Sequence, residues 1–195
     1  MFGETFWTAH YEKQQTPWDM GYASPPLTAY VDRLADKNLY ILIPGVGNGW
    51  EAEYLYHKGF SNVYIIDISP QPLRNLQRRI PDFPEERIIH QDFFEHNGQY
   101  DLILEQTFFC ALHPGQRNDY VRKMRSLLNP NGRLVGVQFD FPLDLSQEGP
   151  PFGGSREEYR EKFSRHFDVK VLESCYNSHL ARRDRELFII CEQKN

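Results

Sequence analysis

"YILIPGVGNGWEAEYL", residues 40–55, places three glycines within five positions directly after an aliphatic run. Glycine costs backbone entropy, and that cost is worthwhile where φ must be positive or a ligand must approach the main chain closely. The run before Gly45, Gly47 and Gly49 and the amphipathic stretch after them predict a strand, a tight turn and a helix. In an open parallel sheet such a junction faces the crevice at the carboxyl ends of the strands, where ligands bind.

The rest of the chain repeats that alternation. "SPPLTAYVDRLADK" (24–37) opens on Ser and Pro and sets Leu27, Val31 and Leu34 on one face, predicting a helix. "NLYILIP" (38–44) and "SNVYIIDIS" (61–69) are apolar runs of strand length, and the helix between them closes at Gly59. "PQPLRNLQRRIP" (70–81) predicts a polar helix and "ERIIHQDFF" (86–94) a third strand. "QYDLILEQTFF" (99–109) and "GRLVGVQFDF" (132–141) predict two more, flanking the helix "GQRNDYVRKMRSLLN" (115–129). A helix entered through Ser155 precedes a closing pair, "DVKVLESCYN" (168–177) and "RELFIICEQ" (185–193). Strands alternating with helices imply an α/β fold, a doubly wound and mostly parallel sheet of seven strands. The short polar loop between the last two predicts an antiparallel C-terminal hairpin at one edge. The 195 residues read as one domain.

Composition narrows the partners. Hydrophobic residues at 40% and charged residues at 25% are ordinary for a soluble globular chain. A net charge of −5 argues against nucleic acid and anionic membranes as partners, and the expected partner is a small-molecule substrate. Cys110, Cys175 and Cys191 are too scattered for a disulfide framework, which suits the cytoplasm. The first residues, "MFGETFWTAHYEKQQ", carry acids and no long apolar core, so they do not read as a signal peptide. The seven histidines form no HxH or HxxxH pair, so no metal is expected. Trp7, Tyr11, Trp18 and Tyr22 crowd a segment with no apparent periodic element. They read either as plugs at the end of a core or as a lid over a ligand.

Asp67 ends the second strand, about 20 residues beyond the glycines, where an acid accepts hydrogen bonds from ribose hydroxyls. Two classes share that layout, dinucleotide oxidoreductases and S-adenosylmethionine-dependent methyltransferases. The dinucleotide pattern is G-x-G-x-x-G, whereas this chain reads G-x-G-x-G followed by Trp50 and Glu51. An acid in the first helical turn would repel a pyrophosphate at the positive helix end. It suits a ligand bearing an ammonium group. Asp92 and Phe93, in "HQDFF", are placed to meet an adenine, although an N-cap and a core residue explain them equally. Glu105, at the end of the fourth strand, is placed to meet a methionyl ammonium or a sulfonium, or is a solvated acid. Cys110 read alone is a small buried hydrophobe. A non-catalytic adenosyl-ligand binder also remains open.

These residues carry a pattern that resembles the thiopurine methyltransferase superfamily, and within it the thiol and halide methyltransferases. The specific pieces are "TPWDMG" (16–21), "PGVGNG" (44–49), "QDFF" (91–94), "TFFCALHP" (107–114) and "GPPF" (149–152). The resemblance implies a Rossmann-like class I methyltransferase domain whose cofactor is S-adenosylmethionine. It implies that residues 1–23 form an aromatic lid, with Trp7, Tyr11 and Trp18 over the cofactor. Gly45 and Gly47 would lie against its methionine part, Asp67 at the ribose, Asp92 and Phe93 at the adenine and Glu105 after the fourth strand. Phe109 and Cys110 would line the acceptor site and Tyr120 would face the methyl acceptor. Tyr11, Val46 and Gln106 depart from the pattern, which has tryptophan, cysteine, and tyrosine or arginine at those places. The acceptor this implies is a thiol, bisulfide, thiocyanate, halide or thiopurine.

Overall fold

The computed structural model of the chain describes residues 2–194. Its strands are β1 (Tyr40–Pro44), β2 (Asn62–Asp67), β3 (Ile88–His90), β4 (Tyr100–Gln106), β5 (Leu128–Phe139), β6 (Phe167–Ser174) and β7 (Glu186–Gln193). They form one sheet in the order β3-β2-β1-β4-β5-β7-β6. The first five are parallel to one another, and β7 runs antiparallel to both β5 and β6. The closing hairpin is therefore present, with its second strand inserted against β5.

Both faces of the sheet are covered, which is why the strands read as unbroken apolar runs. Successive side chains point to opposite faces. Ile41, Ile43, Ile65, Leu102, Leu104, Val135 and Val137 enter one core, with Leu27 and Val31 of α2 (Pro25–Val31), Leu55 of α3 (Trp50–His57) and Leu76 of α4 (Pro70–Arg79). Leu42, Ile66, Ile103 and Leu134 enter the other, against Val121 and Met124 of α5 (Arg117–Ser126) and Phe163 of α6 (Arg156–Ser164). The direction of winding reverses between β1 and β4. Their carboxyl ends therefore flank a crevice.

Several boundaries differ from the sequence expectation. The helix over 24–37 stops at Val31, and Leu34 packs on the core from the turn beyond. The third strand keeps only three residues, because the Phe94 N–H donates to Asp92 Oδ1 at 2.8 Å and turns the chain. The fourth ends at Gln106, since Thr107 adopts φ +60°. The aromatic N-terminus contains a helix, α1 (Glu4–Glu12), where no periodic element was expected. None of its residues is fully buried. It is tied down by Thr8 Oγ1 at 2.9 Å from Ser69 Oγ and by Glu4 at 3.4 Å from His90.

Candidate active site

Between β1 and α3 the chain turns on three glycines with φ of +57°, +57° and +77°. A Cβ on Gly45 would lie 2.3 Å from the Phe108 ring, so that side chain is excluded twice, by φ and by contact. At Gly47 the nearest atom to such a Cβ is the Tyr11 hydroxyl, at 3.4 Å. The turn is therefore bounded by the segment after β4 on one side and by α1 on the other.

Above this turn lies a cavity of about 590 Å³, walled by the ends of β1, β2 and β4 and roofed by the N-terminal segment. That volume is in the range of small-molecule and cofactor sites. Asp67 lines it from the end of β2. Its Oδ2 accepts from the Gly47 N–H at 3.1 Å and its Oδ1 from the Ser69 N–H at 2.9 Å. Burial pushes the carboxyl up to about 6, while those N–H groups and nearby His90 pull in the other direction. Each oxygen keeps a lone pair for a ligand hydroxyl. Asp92 and Phe93 line the same wall, and Phe93 meets Phe108 edge-on with centroids 5.2 Å apart.

The roof is aromatic. Trp7 and Trp18 meet at 5.5 Å and 84°, Tyr11 and Trp18 at 5.8 Å and 79°. All three are half-buried and line the cavity. Burial, with Asp67 nearby, holds the Tyr11 phenol protonated well above its ordinary range. Polar bonds fix the roof at its rear. Asp19 accepts from the Trp50 indole N–H at 2.6 Å and from the Asn48 amide, and Arg182 donates to the Trp18 carbonyl at 2.5 Å. Glu51 accepts from the Ser24 N–H at 2.8 Å, anchoring the start of α2.

Seven of the residues singled out for the cofactor thus converge on the cavity with Gly45, and Cys110 joins them. Three others do not line it. Glu105 is fully buried beneath the floor, where it accepts from the Phe108 and Phe109 N–H groups at 2.6 and 3.0 Å and from the Gln138 amide. Burial pushes its carboxyl up to about 7, against those three donors. It shapes the turn after β4 rather than facing a ligand. Phe109 and Tyr120 are fully buried in the second core, 5.1 Å apart edge-on, because α5 turns Tyr120, Val121 and Met124 inward together. Cys110 sits at the cavity edge with its thiol donating to the Thr107 carbonyl at 3.0 Å and held protonated by burial.

The cavity also contains Gln106, noted in the sequence only as a departure from the family pattern, and residues that sequence reasoning passed over. Gln106 lines it with both amide atoms buried and without a hydrogen-bond partner among the described residues. Such an orphan amide costs about 1–3 kcal/mol unless a ligand satisfies it. Phe108, not Phe109, faces inward. Arg182 reaches the cavity from the loop between β6 and β7, anchored at 3.3 Å to buried Glu186. His10 projects from α1 beside Trp7 and Tyr11.

A doubly wound sheet with a positive-φ glycine turn, an acid ending the second strand and an aromatic roof fits the S-adenosylmethionine-dependent methyltransferases, the class to which the family match assigns the chain. The chain belongs to the thiopurine S-methyltransferase family, whose sequence profile it matches over residues 2–192. It is 31% identical to probable thiol methyltransferase 2 of Arabidopsis thaliana over 80% of this chain and 70% of that one. It is 29% identical to thiocyanate methyltransferase 1 of Brassica oleracea over 75% of this chain and 66% of that one. The chain thus spans about two thirds of the length of these plant relatives. The fold is similar to that of the Burkholderia thailandensis 1,6-didemethyltoxoflavin-N1-methyltransferase, solved with bound S-adenosylhomocysteine. The TM-score is 0.77 at 19% identity, covering 98% of this chain and 87% of that one.

Proposed function

We propose that the chain transfers a methyl group to a small, soft nucleophile: a thiol, bisulfide, thiocyanate or halide, with a thiopurine at the large end of that range. The observation that carries this reading is the character of the cavity. Its lining includes Phe108, Phe139, Leu112 and Pro151, with Gln106, Arg182 and His10 as polar contacts, and this part we assign to the acceptor. Soft, polarizable acceptors suit such a wall, and a heavily hydroxylated acceptor does not. The thiol and thiocyanate activities named for the plant relatives point the same way.

In this reading Asp67 holds the ribose, Asp92 and Phe93 the adenine, and the Gly45–Gly47 main chain the methionine portion. The cofactor supplies an electrophilic methyl group on a cationic sulfur. Trp7, Tyr11 and Trp18 attract that cation, an aromatic face being worth about 0.5–2 kcal/mol. They also exclude water, which otherwise stabilises a small anion and blunts its attack. Glu105 acts indirectly, by fixing the turn that presents Gln106 and Phe108. Residues 1–23 act as a lid rather than a core plug, in keeping with the absence of any fully buried residue in α1. Among the described residues no helix is long and apolar enough to cross a membrane, and the three buried free cysteines fit a reducing compartment such as the cytoplasm.

The test is methyl transfer from labelled S-adenosylmethionine to a panel of alkyl thiols, hydrosulfide, thiocyanate, iodide and a thiopurine, with volatile and soluble products separated. Turnover of at least one sulfur or halide acceptor well above oxygen and nitrogen acceptors is expected. Turnover confined to an oxygen or nitrogen acceptor would overturn the reading.

A further inference from the structure

We propose that His10 removes the proton of a thiol acceptor, so that the preferred substrates are protic sulfur compounds presented in their neutral form. The proposal rests on the sulfur-acceptor reading above. His10 lies on the inward face of α1, lines the cavity and is half-buried, with its ring 4.5 Å from that of Phe6 and 5.8 Å from that of Trp18. Its Nδ1 lies 2.8 Å from the Phe6 carbonyl oxygen. A carbonyl only accepts, so Nδ1 carries the hydrogen of the neutral ring and Nε2 carries the lone pair. Among the described residues Nε2 has no hydrogen-bond partner. The backbone of one helical turn thus fixes the tautomer that a base needs.

The other ionisable groups of the cavity are otherwise occupied. Asp19 accepts from Asn48, Trp50 and the Gly21 N–H, and Glu51 from the Ser24 N–H. Asp67 and Asp92 each accept backbone N–H bonds on the nucleoside side. Tyr11 and Cys110 are held protonated, and Arg182 is cationic and spans Trp18 and Glu186. On its own helix, Glu4 turns away to His90. The groups packed against the His10 ring, Phe6, Trp7 and Trp18, are uncharged.

In the step proposed, the S–H bond of the acceptor breaks and its electron pair stays on sulfur. The proton bonds to the Nε2 lone pair, leaving a thiolate beside an imidazolium. The sulfur pair then bonds the methyl carbon, whose old bond to the sulfonium breaks and leaves a neutral thioether. The imidazolium afterwards returns its proton to water. Thiocyanate and halides have no proton to give and gain nothing from His10.

The decisive comparison is His10→Gln against wild type with two thiols at one pH, an alkyl thiol still protonated and an aromatic thiol already ionised. The variant should lose at least a hundredfold in kcat/KM for the alkyl thiol and at least tenfold less for the aromatic one. Added imidazole should restore part of the alkyl-thiol rate to His10→Ala. A readout without turnover uses the protein saturated with S-adenosylhomocysteine. There the alkyl thiol should develop thiolate ultraviolet absorbance with wild type and not with the variant. Equal losses for both thiols, no imidazole rescue and unchanged thiolate absorbance would make His10 a packing residue. A wild-type protein that methylates neither thiol would overturn the His10 proposal, whereas turnover confined to oxygen or nitrogen acceptors would overturn the reading it rests on.

Discussion

Gly45→Ala is expected to weaken S-adenosylhomocysteine binding at least a hundredfold and to lower the melting temperature by several degrees. The alanine Cβ would fall 2.3 Å from the Phe108 ring at a residue with φ +57°. An L-residue in the left-handed region costs about 1–2 kcal/mol by itself. The clash adds to this, because Phe108 would have to leave its neighbours and move into the cavity it lines. Its ring is held against Phe93 at 5.2 Å and Tyr120 at 6.0 Å, and its N–H donates to Glu105 at 2.6 Å. For a domain of this size each kcal/mol moves the midpoint by roughly 2–4 °C. Gly59→Ala is the control, since it shares the strain at φ +80° but meets nothing within 4 Å. Calorimetric binding and thermal melting of the two variants separate strain from contact. If Gly59→Ala lost as much binding as Gly45→Ala, the Phe108 contact would not be what the glycine protects.

Asp67→Ala is expected to be nearly as damaging to binding and far less so to folding. Two charge-assisted bonds to ribose hydroxyls, each worth about 1.5–3 kcal/mol, predict a loss of affinity of roughly 10²–10⁴-fold. The pH dependence has a definite sign. In the free protein burial raises the carboxyl from its ordinary value of 3.8 to about 6. A group raised in this way favours the fold when protonated, so its burial costs the free protein stability as pH rises from about 4 through 6. The ribose hydroxyls donate to the ionised form and recover part of that cost. Affinity should therefore fall as pH drops below about 6, approaching tenfold per unit. In Asp67→Asn, binding should be weak and this slope absent. Calorimetry between pH 5 and 8, within the range over which both variants stay folded, checks both points. Unchanged affinity in Asp67→Ala would make Asp67 only the acceptor for Gly47 and Ser69.

The parts of the fold legible in the sequence were those set by burial on both faces of a strand. "YILIP", "NVYIID" and "DLILE" announce strands because Ile41 to Ile43, Val63 to Ile66 and Leu102 to Leu104 alternate between two cores. The glycine turn was legible because three positive-φ residues in five leave few alternatives. Strand parity was not. Glu105 and Gln106 are neighbours at the end of β4, and the pleat sends one under the floor and the other to the cavity. An acid at a strand end looked the better ligand contact, yet the orphan amide is the one that faces inward. Beyond the strand, the 3-10 turn that begins at Phe109 likewise sends Phe108 to the cavity and Phe109 into the core. The position of Tyr120 was readable, since its spacing with Val121, Met124 and Leu127 is that of a buried helix face. Helix α1 escaped notice because it buries no residue completely and ends within nine residues. Arg182 was out of reach altogether, as the carbonyl it binds belongs to Trp18, at the opposite end of the chain.

The central claim is that the glycine turn, Asp67, the end of β4 and the aromatic N-terminus form one adenosyl-cofactor site. Hydrogen exchange across the whole chain, with and without S-adenosylhomocysteine, tests it most directly. The account predicts slowed exchange at residues 6–22, 45–50, 67–69, 91–94 and 106–108, with residues 6–22 changing most because none of α1 is fully buried beforehand. NAD at the same concentration should leave all of these segments unchanged. Protection of those segments by NAD, or S-adenosylhomocysteine protection that spares both residues 6–22 and Asp67, would contradict it.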